Sequence, residues 1–243
     1  MYFVFLTSYI NVLLLLLSVG DVNLLCYIFG NLIKSYSGPQ GQSLLKIFRS
    51  LYFIEASPGS MTQATHEPTR IREAKQEDAS AIARLGAKVF STTFGHSMPA
   101  SDLEAYLAES YSPSAILADL ANSNKDTVLV CPSTNPNHVL GFATLTRRTI
   151  EPCIRHLEGT TVELQRLYIE PDSHGRGLGR ALVMHVETIA RHEGFATMWL
   201  GVWEENVKAQ QVYGRLGYEK VGDRDFVMGS CRQTDWIMLK SLE

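Results

Sequence analysis

Apolar residues recur along this chain in two periods, and the points where one gives way to the other mark out the elements. From residue 61 onward, short runs rich in β-branched and apolar residues alternate with stretches whose apolar positions repeat every three or four residues. Residues 69–73 predict a strand, and Asp78 predicts the cap of a helix that carries Ile82, Leu85 and Val89 at helical spacing. Residues 101–120 predict one or two helices, with Leu103, Tyr106 and Leu107, then Ile116, Leu117 and Leu120, on their inner faces. Strands are expected at 127–131 and 139–146, separated by the turn-rich segment 132–137. Residues 162–169 predict another strand, followed by a helix over 177–193 that Gly194 stops and whose inner stripe is Leu178, Leu182, Val186 and Ile189. A strand at 197–202, a helix at 206–216 ending at Gly217, and strands at 218–227 and 235–239 complete the series. Antiparallel strands at the ends with strand–helix–strand crossovers between them imply a mixed α/β sheet covered by helices.

The first 33 residues break this pattern, because they are almost wholly apolar and Asp21 is their only charge. As a helix, residues 2–20 would be roughly 28 Å long, close to the hydrocarbon thickness of a bilayer. No Lys or Arg precedes Lys34, whereas Lys34, Lys46 and Arg49 follow the apolar run; if the segment inserts, the body stays cytosolic. Three readings stay open: an upstream start outside the working protein, a membrane anchor, or a soluble or targeting segment. The small-residue stretch 57–60 then separates an extension, 1–60, from a domain at 61–243.

Composition narrows the functional classes. The chain has 243 residues, 45% of them hydrophobic and 19% charged, which is ordinary globular usage and excludes a mainly disordered chain. A formal net charge of -3 gives no basic field for gripping nucleic acid. Cys26, Cys131, Cys153 and Cys231 are scattered, without zinc-ligand spacing, and read as reduced thiols in a cytoplasmic environment.

The chemistry concentrates in two segments. The first runs from the 162–169 strand into His174-Gly175-Arg176-Gly177-Leu178-Gly179-Arg180. Three glycines at a strand-to-helix turn let backbone amides converge on one point, and the helix adds its partial positive charge, so the turn suits a pyrophosphate. It lacks the Gly-Lys-Ser/Thr of a P-loop and the placed acidic residue of a dinucleotide fingerprint. The second segment holds Asn206, Ala209 and Tyr213, followed by Leu216-Gly217-Tyr218.

In these two segments the chain resembles the GNAT superfamily of acyl-CoA-dependent N-acyltransferases, whose pyrophosphate loop reads Gln/Arg-x-x-Gly-x-Gly/Ala. Gly177 and Gly179 match it, while His174 departs from its first position. The resemblance covers 61–243 and is closest to PaiA-like spermidine/spermine N-acetyltransferases. Ser91-Thr92-Thr93-Phe94, Glu104-Ala105-Tyr106-Leu107, Leu200-Gly201-Val202-Trp203-Glu204 and the 233–238 tail carry that closer likeness.

It implies a mixed, mostly antiparallel sheet flanked by helices, acetyl-CoA as co-substrate, and a small-molecule amine as partner; a homodimer is compatible with it. It also implies roles: Leu167, Tyr168 and Ile169 with residues 174–180 and Asn206 hold the coenzyme, and Tyr213 protonates the departing thiolate.

An alkyl amine of reference pKa about 10.4 is only about one thousandth neutral at pH 7.4, a deficit of roughly 4 kcal/mol that a base or a proton-accepting water must help overcome. Strand alternation places Glu163, Gln165, Leu167 and Ile169 on one face and Leu164, Arg166 and Tyr168 on the other. Glu163 is the expected base; its position before the glycine turn resembles that of the glutamate base in histone-acetylating members. His138, His156 and His185 are weaker candidates, with His185 flanking the core stripe. Asp102, Glu104 and Glu109 are expected to line an acidic approach for a polyamine, and no metal is required. Two alternatives stay open, a protein or peptide acceptor and a non-catalytic acyl-CoA-binding protein of the same fold.

Overall fold

The computed structural model describes residues 67–243, so the 1–60 extension and the apolar run at 2–20 lie outside the described residues. Seven strands form one sheet in the order β1-β2-β3-β4-β5-β7-β6. They are β1 (Thr69–Glu73), β2 (Lys125–Pro132), β3 (Gly141–Thr146), β4 (Thr161–Ile169), β5 (Thr197–Trp203), β6 (Glu219–Met228) and β7 (Cys231–Ser241). Every neighbouring pair is antiparallel except β4 and β5. Five helices cover it: α1 (Ala79–Phe94), α2 (Ala100–Tyr111), α3 (Pro113–Ala121), α4 (Leu178–His192) and α5 (Val207–Arg215). Among the described residues no helix is long and apolar enough to cross a membrane.

Two cores sandwich the sheet. On one face, the expected stripe of α4 packs Leu178, Leu182 and Val186 against Val162, Leu164, Leu200 and Val202. Full burial of each such side chain contributes about 1.5–3 kcal/mol relative to exposure. On the other, Ile82, Leu85 and Phe90 of α1 and Tyr111 and Ile116 of α2 and α3 pack on Leu129 and Phe142. A smaller cluster of Ile154, Trp199 and Ile237 lies on that second face, with Ile154 supplied by a 3-10 segment, Pro152–Leu157.

Local chemistry explains the helix ends. Ser112 accepts a hydrogen bond from the Ala115 amide at 3.2 Å and Pro113 occupies the first turn, which starts α3. Gly194, at φ 85°, closes α4, and the Phe195 amide then bonds back to the Ala190 carbonyl at 3.0 Å.

Three expectations on these elements change. Asp78 stands at the start of α1 but makes no capping bond into it. Its carboxylate instead takes both guanidinium nitrogens of Arg72 at 2.7 Å and the Lys75 amide at 2.8 Å, clamping β1 to the helix start. That pairing holds the Asp78 carboxyl below the usual carboxylate range. Leu117 is 41% exposed rather than inward, because Ile116 takes the inner position of the short α3. His185 lies on the solvent side of α4, and His138 and His156 are also exposed.

Candidate active site

β4 and β5 are paired over three positions only, Thr161 with Thr197, Val162 with Met198 and Glu163 with Trp199. Beyond Glu163, β4 continues along β3 as far as Ile169 and β5 continues along β7 as far as Trp203. The two strands therefore part into a wedge, whose facing edges at 164–169 and 200–203 carry no ladder between them. A bulge accompanies the divergence: Thr144 faces Arg166 and Leu145 faces Leu164, so Gln165 has no ladder position opposite it on β3. One extra residue bends a strand and swaps the faces of everything beyond it.

The expected alternation along β4 is therefore wrong past Leu164. Leu167 and Ile169 join Val162 and Leu164 on the α4 side. Glu163 shares the opposite side with Arg166, which pairs with Asp119 of α3 at 2.5 Å, and with Tyr168, which meets the Tyr111 hydroxyl at 2.6 Å.

At the open end of the wedge stands the glycine turn. Gly175 and Gly177 adopt φ values of 76° and 75°, a left-handed backbone that residues with a Cβ rarely take. Gly177 stands at the N-terminus of α4, and no side chain caps that helix, so its first-turn amides remain available as donors. Gly179 is not left-handed; a Cβ there would meet Ile169 only at 3.7 Å. The side chains of the turn point to different neighbours. His174 Nε2 meets the Ile169 carbonyl at 3.1 Å, tying the loop to the end of β4. Arg176 turns back toward Ser173 and the Glu67 carbonyl, both at 3.4 Å, while Arg180 is exposed.

Asn206 and Tyr213 flank the wedge from α5. The Asn206 Oδ1 accepts from the Ala209 amide at 3.2 Å, so the residue is first a helix cap, with its amide nitrogen left over. Tyr213 packs against the cluster that holds Leu167, Ile169 and Val202, with its ring 5.9 Å from that of Tyr218. Burial raises its phenol to about 12, so it is protonated at neutral pH.

On the opposite side of the sheet, Glu163 is 5% exposed. Burial pushes its carboxyl above the ordinary range, against the opposing pulls of the Thr149 hydroxyl and the Arg224 guanidinium. Arg224 of β6 and Glu151, from the loop before the 3-10 segment, act on its charge, and Asp235 of β7 joins them through Arg224. These three were not singled out in the sequence, because no short spacing joins residues 151, 163, 224 and 235. Of the acidic residues expected along the approach, Asp102 has a structural partner. Asp102 accepts from the amide and hydroxyl of Ser230, at 2.8 and 2.6 Å, and pins α2 to the β6–β7 turn. Glu104 and Glu109 are exposed. Beside the end of β5, Thr93, His96, Trp203, Glu205 and Asn206 line an open cleft of about 430 Å³.

The wedge, the helix N-terminus with free amides and the buried carboxylate across the sheet are all carried by β4, β5 and α4. The sequence pattern of the Acetyltransferase (GNAT) family matches residues 94–218, and the chain belongs to that family. It is an N-acetyltransferase with acetyl-CoA as co-substrate.

Among its relatives is an uncharacterised N-acetyltransferase of Lactobacillus delbrueckii subsp. lactis, 24% identical over 173 residues, 71% of this chain and 97% of the relative. Another is the spermidine N(1)-acetyltransferase of Thermoplasma acidophilum, 24% identical over 174 residues, 71% of this chain and 97% of the relative. The crystal structure of the PaiA N-acetyltransferase from Thermoplasma acidophilum, in complex with coenzyme A, shares the fold. Its TM-score is 0.57 at 21% identity, covering 72% of this chain and 99% of that one.

Proposed function

We propose that residues 61–243 form the transferase domain and acetylate a primary amine of a small polyamine, such as spermidine or spermine, by direct attack. The observation that carries this reading is the wedge with a different chemistry on each side. Free amides and a protonated phenol lie toward α4 and α5, and buried carboxylates lie on the far face. The unpaired strand edges suit an extended ligand that carries amide groups of its own, and the turn at Gly175 and Gly177 suits its pyrophosphate. His174 serves there as a loop anchor, while the contacts to phosphate come from backbone amides.

In the reaction, the neutral amine nitrogen forms a bond to the acetyl carbonyl carbon as the carbon–sulfur bond breaks. Glu163 takes the proton that the amine loses, a backbone amide of 167–169 donates to the developing oxyanion, and Tyr213 gives its proton to the thiolate. A carboxyl raised by burial holds a proton more readily than an ordinary glutamate, which suits a base working near neutral pH. The spermidine-acetylating relative supports the choice of acceptor.

The test is acetyl-CoA-dependent thiol release by the full chain across spermidine, spermine, simple diamines, amino acids and basic peptides. Turnover concentrated on polyamines is expected. Turnover on peptides alone would discard the acceptor, and saturable acetyl-CoA binding without any turnover would make the chain a binding protein.

A further inference from the structure

Arg224 and Asp235 are cross-strand neighbours on the sheet face opposite α4, and the other groups of the cluster gather around the guanidinium. Its Nη1 donates to Glu151 at 2.5 Å, and its Nη2 reaches Asp235 Oδ2 at 3.4 Å, the limit of a hydrogen bond. The guanidinium carbon stands 5.8 Å from the Trp199 ring centroid and 5.9 Å from that of Phe226. Carboxylates and aromatic faces around one cation are the composition of a receptor for an organic ammonium.

The guanidinium fills this receptor imperfectly. Its buried Nε has no partner, and the contact to Asp235 is long. Space for it depends on residue 201 being glycine, since a Cβ there would lie 2.8 Å from Arg224 Nη2 and 3.2 Å from Asp235 Oδ2.

A second observation points the same way. Gln233 lies two residues from Asp235 on the same face, opposite Phe226 in the ladder, and is 8% exposed. Its Nε2 donates to Ser97 Oγ at 2.6 Å, and that hydroxyl donates onward to the Phe94 carbonyl at 2.7 Å. The relay fixes the amide orientation and leaves Gln233 Oε1 buried without a donor. A buried acceptor kept unpaired calls for N–H groups that the chain does not supply. The charges are also out of balance. Glu151, Glu163 and Asp235 share Arg224, while Lys125, whose charge also reaches Glu163, is bound to Asp119 at 2.6 Å.

We propose that the place held by Arg224 is a seat for the second ammonium of a di- or polyamine, with Glu151, Asp235 and the Gln233 carbonyl as its receptors. Arg224 is then the specificity-determining residue, an internal cation that closes the seat until such an acceptor displaces it. The inference rests on the polyamine reading above. Trp199, beneath Arg224, is also the ladder partner of Glu163, so the seat adjoins the reactive position. A monoamine engages Glu163 alone; a diamine engages both.

The test compares full-length wild type with Arg224→Ala, using 1,4-diaminobutane and n-butylamine as acceptors. The ratio of kcat/KM for the diamine over the monoamine is expected to rise about tenfold in the variant, and adding Asp235→Asn should cancel the rise. An unchanged or lower ratio overturns the proposal. Should Arg224→Ala fail to fold, Arg224→Met keeps the aliphatic stem over both rings and carries the same comparison. Calorimetric affinity measured with coenzyme A present gives a readout independent of turnover, and it should show the same gain for the diamine over the monoamine. A binding gain in a protein whose wild type acetylates no diamine defeats the polyamine reading and leaves the seat standing. Diamine turnover with no change in either ratio does the reverse.

Discussion

Tyr213 and Glu163 are both shifted upward by burial, and the shift has opposite consequences for the roles proposed for them. A phenol near 12 is a donor throughout the neutral range. Tyr213→Phe is expected to lower kcat about a hundredfold while leaving the Kd for acetyl-CoA near wild type, read by steady-state kinetics beside calorimetry. For the carboxyl, a raised folded-state pKa means that the ionised form is less welcome in the native protein than in the unfolded chain. No penalty exists at acid pH, where Glu163 is protonated in both states. It develops as pH rises from the unfolded to the folded pKa, and it is complete above the latter. Glu163→Gln should therefore melt higher than wild type at pH 7.5 and no higher at pH 4, while the acidic limb of its pH–rate profile disappears. A lower melting temperature at pH 7.5, or an acidic limb that stays in place, would remove Glu163 from the role of base.

The elements were legible where the pattern is local. β1 falls on its predicted bounds, and the helices at 178–192 and 207–215 fall within a residue of theirs at each end, because glycine stops and apolar stripes act over a few residues. Period-2 reasoning failed at Gln165, since a bulge is a property of two strands and nothing in β4 alone announces it. The acidic face escaped for a similar reason: Glu151, Arg224 and Asp235 meet only through the pairing of β6 with β7 and the fold of the 3-10 segment. Propensity is also a poor guide at Gly86 of α1. Glycine within a helix costs about 1 kcal/mol relative to alanine, which argues for replacing it. A Cβ at that position, however, would lie 2.4 Å from the Tyr111 ring at the end of α2. Overpacking of this kind costs about 1–3 kcal/mol. Gly86→Ala should lower the urea midpoint, with the m-value unchanged; a higher midpoint would mean that the Tyr111 ring moves aside freely.

In the whole molecule, the two faces of the sheet divide the labour, one packing α4 and α5 beside the glycine turn and the other gathering the carboxylates. What joins them is the short parallel ladder between β4 and β5, held from one side by β3 and from the other by β7. The placement of β7 has a consequence for how the protein is made. β7 follows β6 along the chain yet lies between β5 and β6 in the sheet, and it brings Gln233 and Asp235 with it. A growing chain can assemble α1 to α4 on β1 to β4 as they emerge, yet β5 and β6 are joined to each other only once β7 has followed them. The face that gathers the carboxylates is therefore complete only after β7 has formed. Without β7, β5 and β6 would each present an unpaired edge that invites pairing with a neighbour.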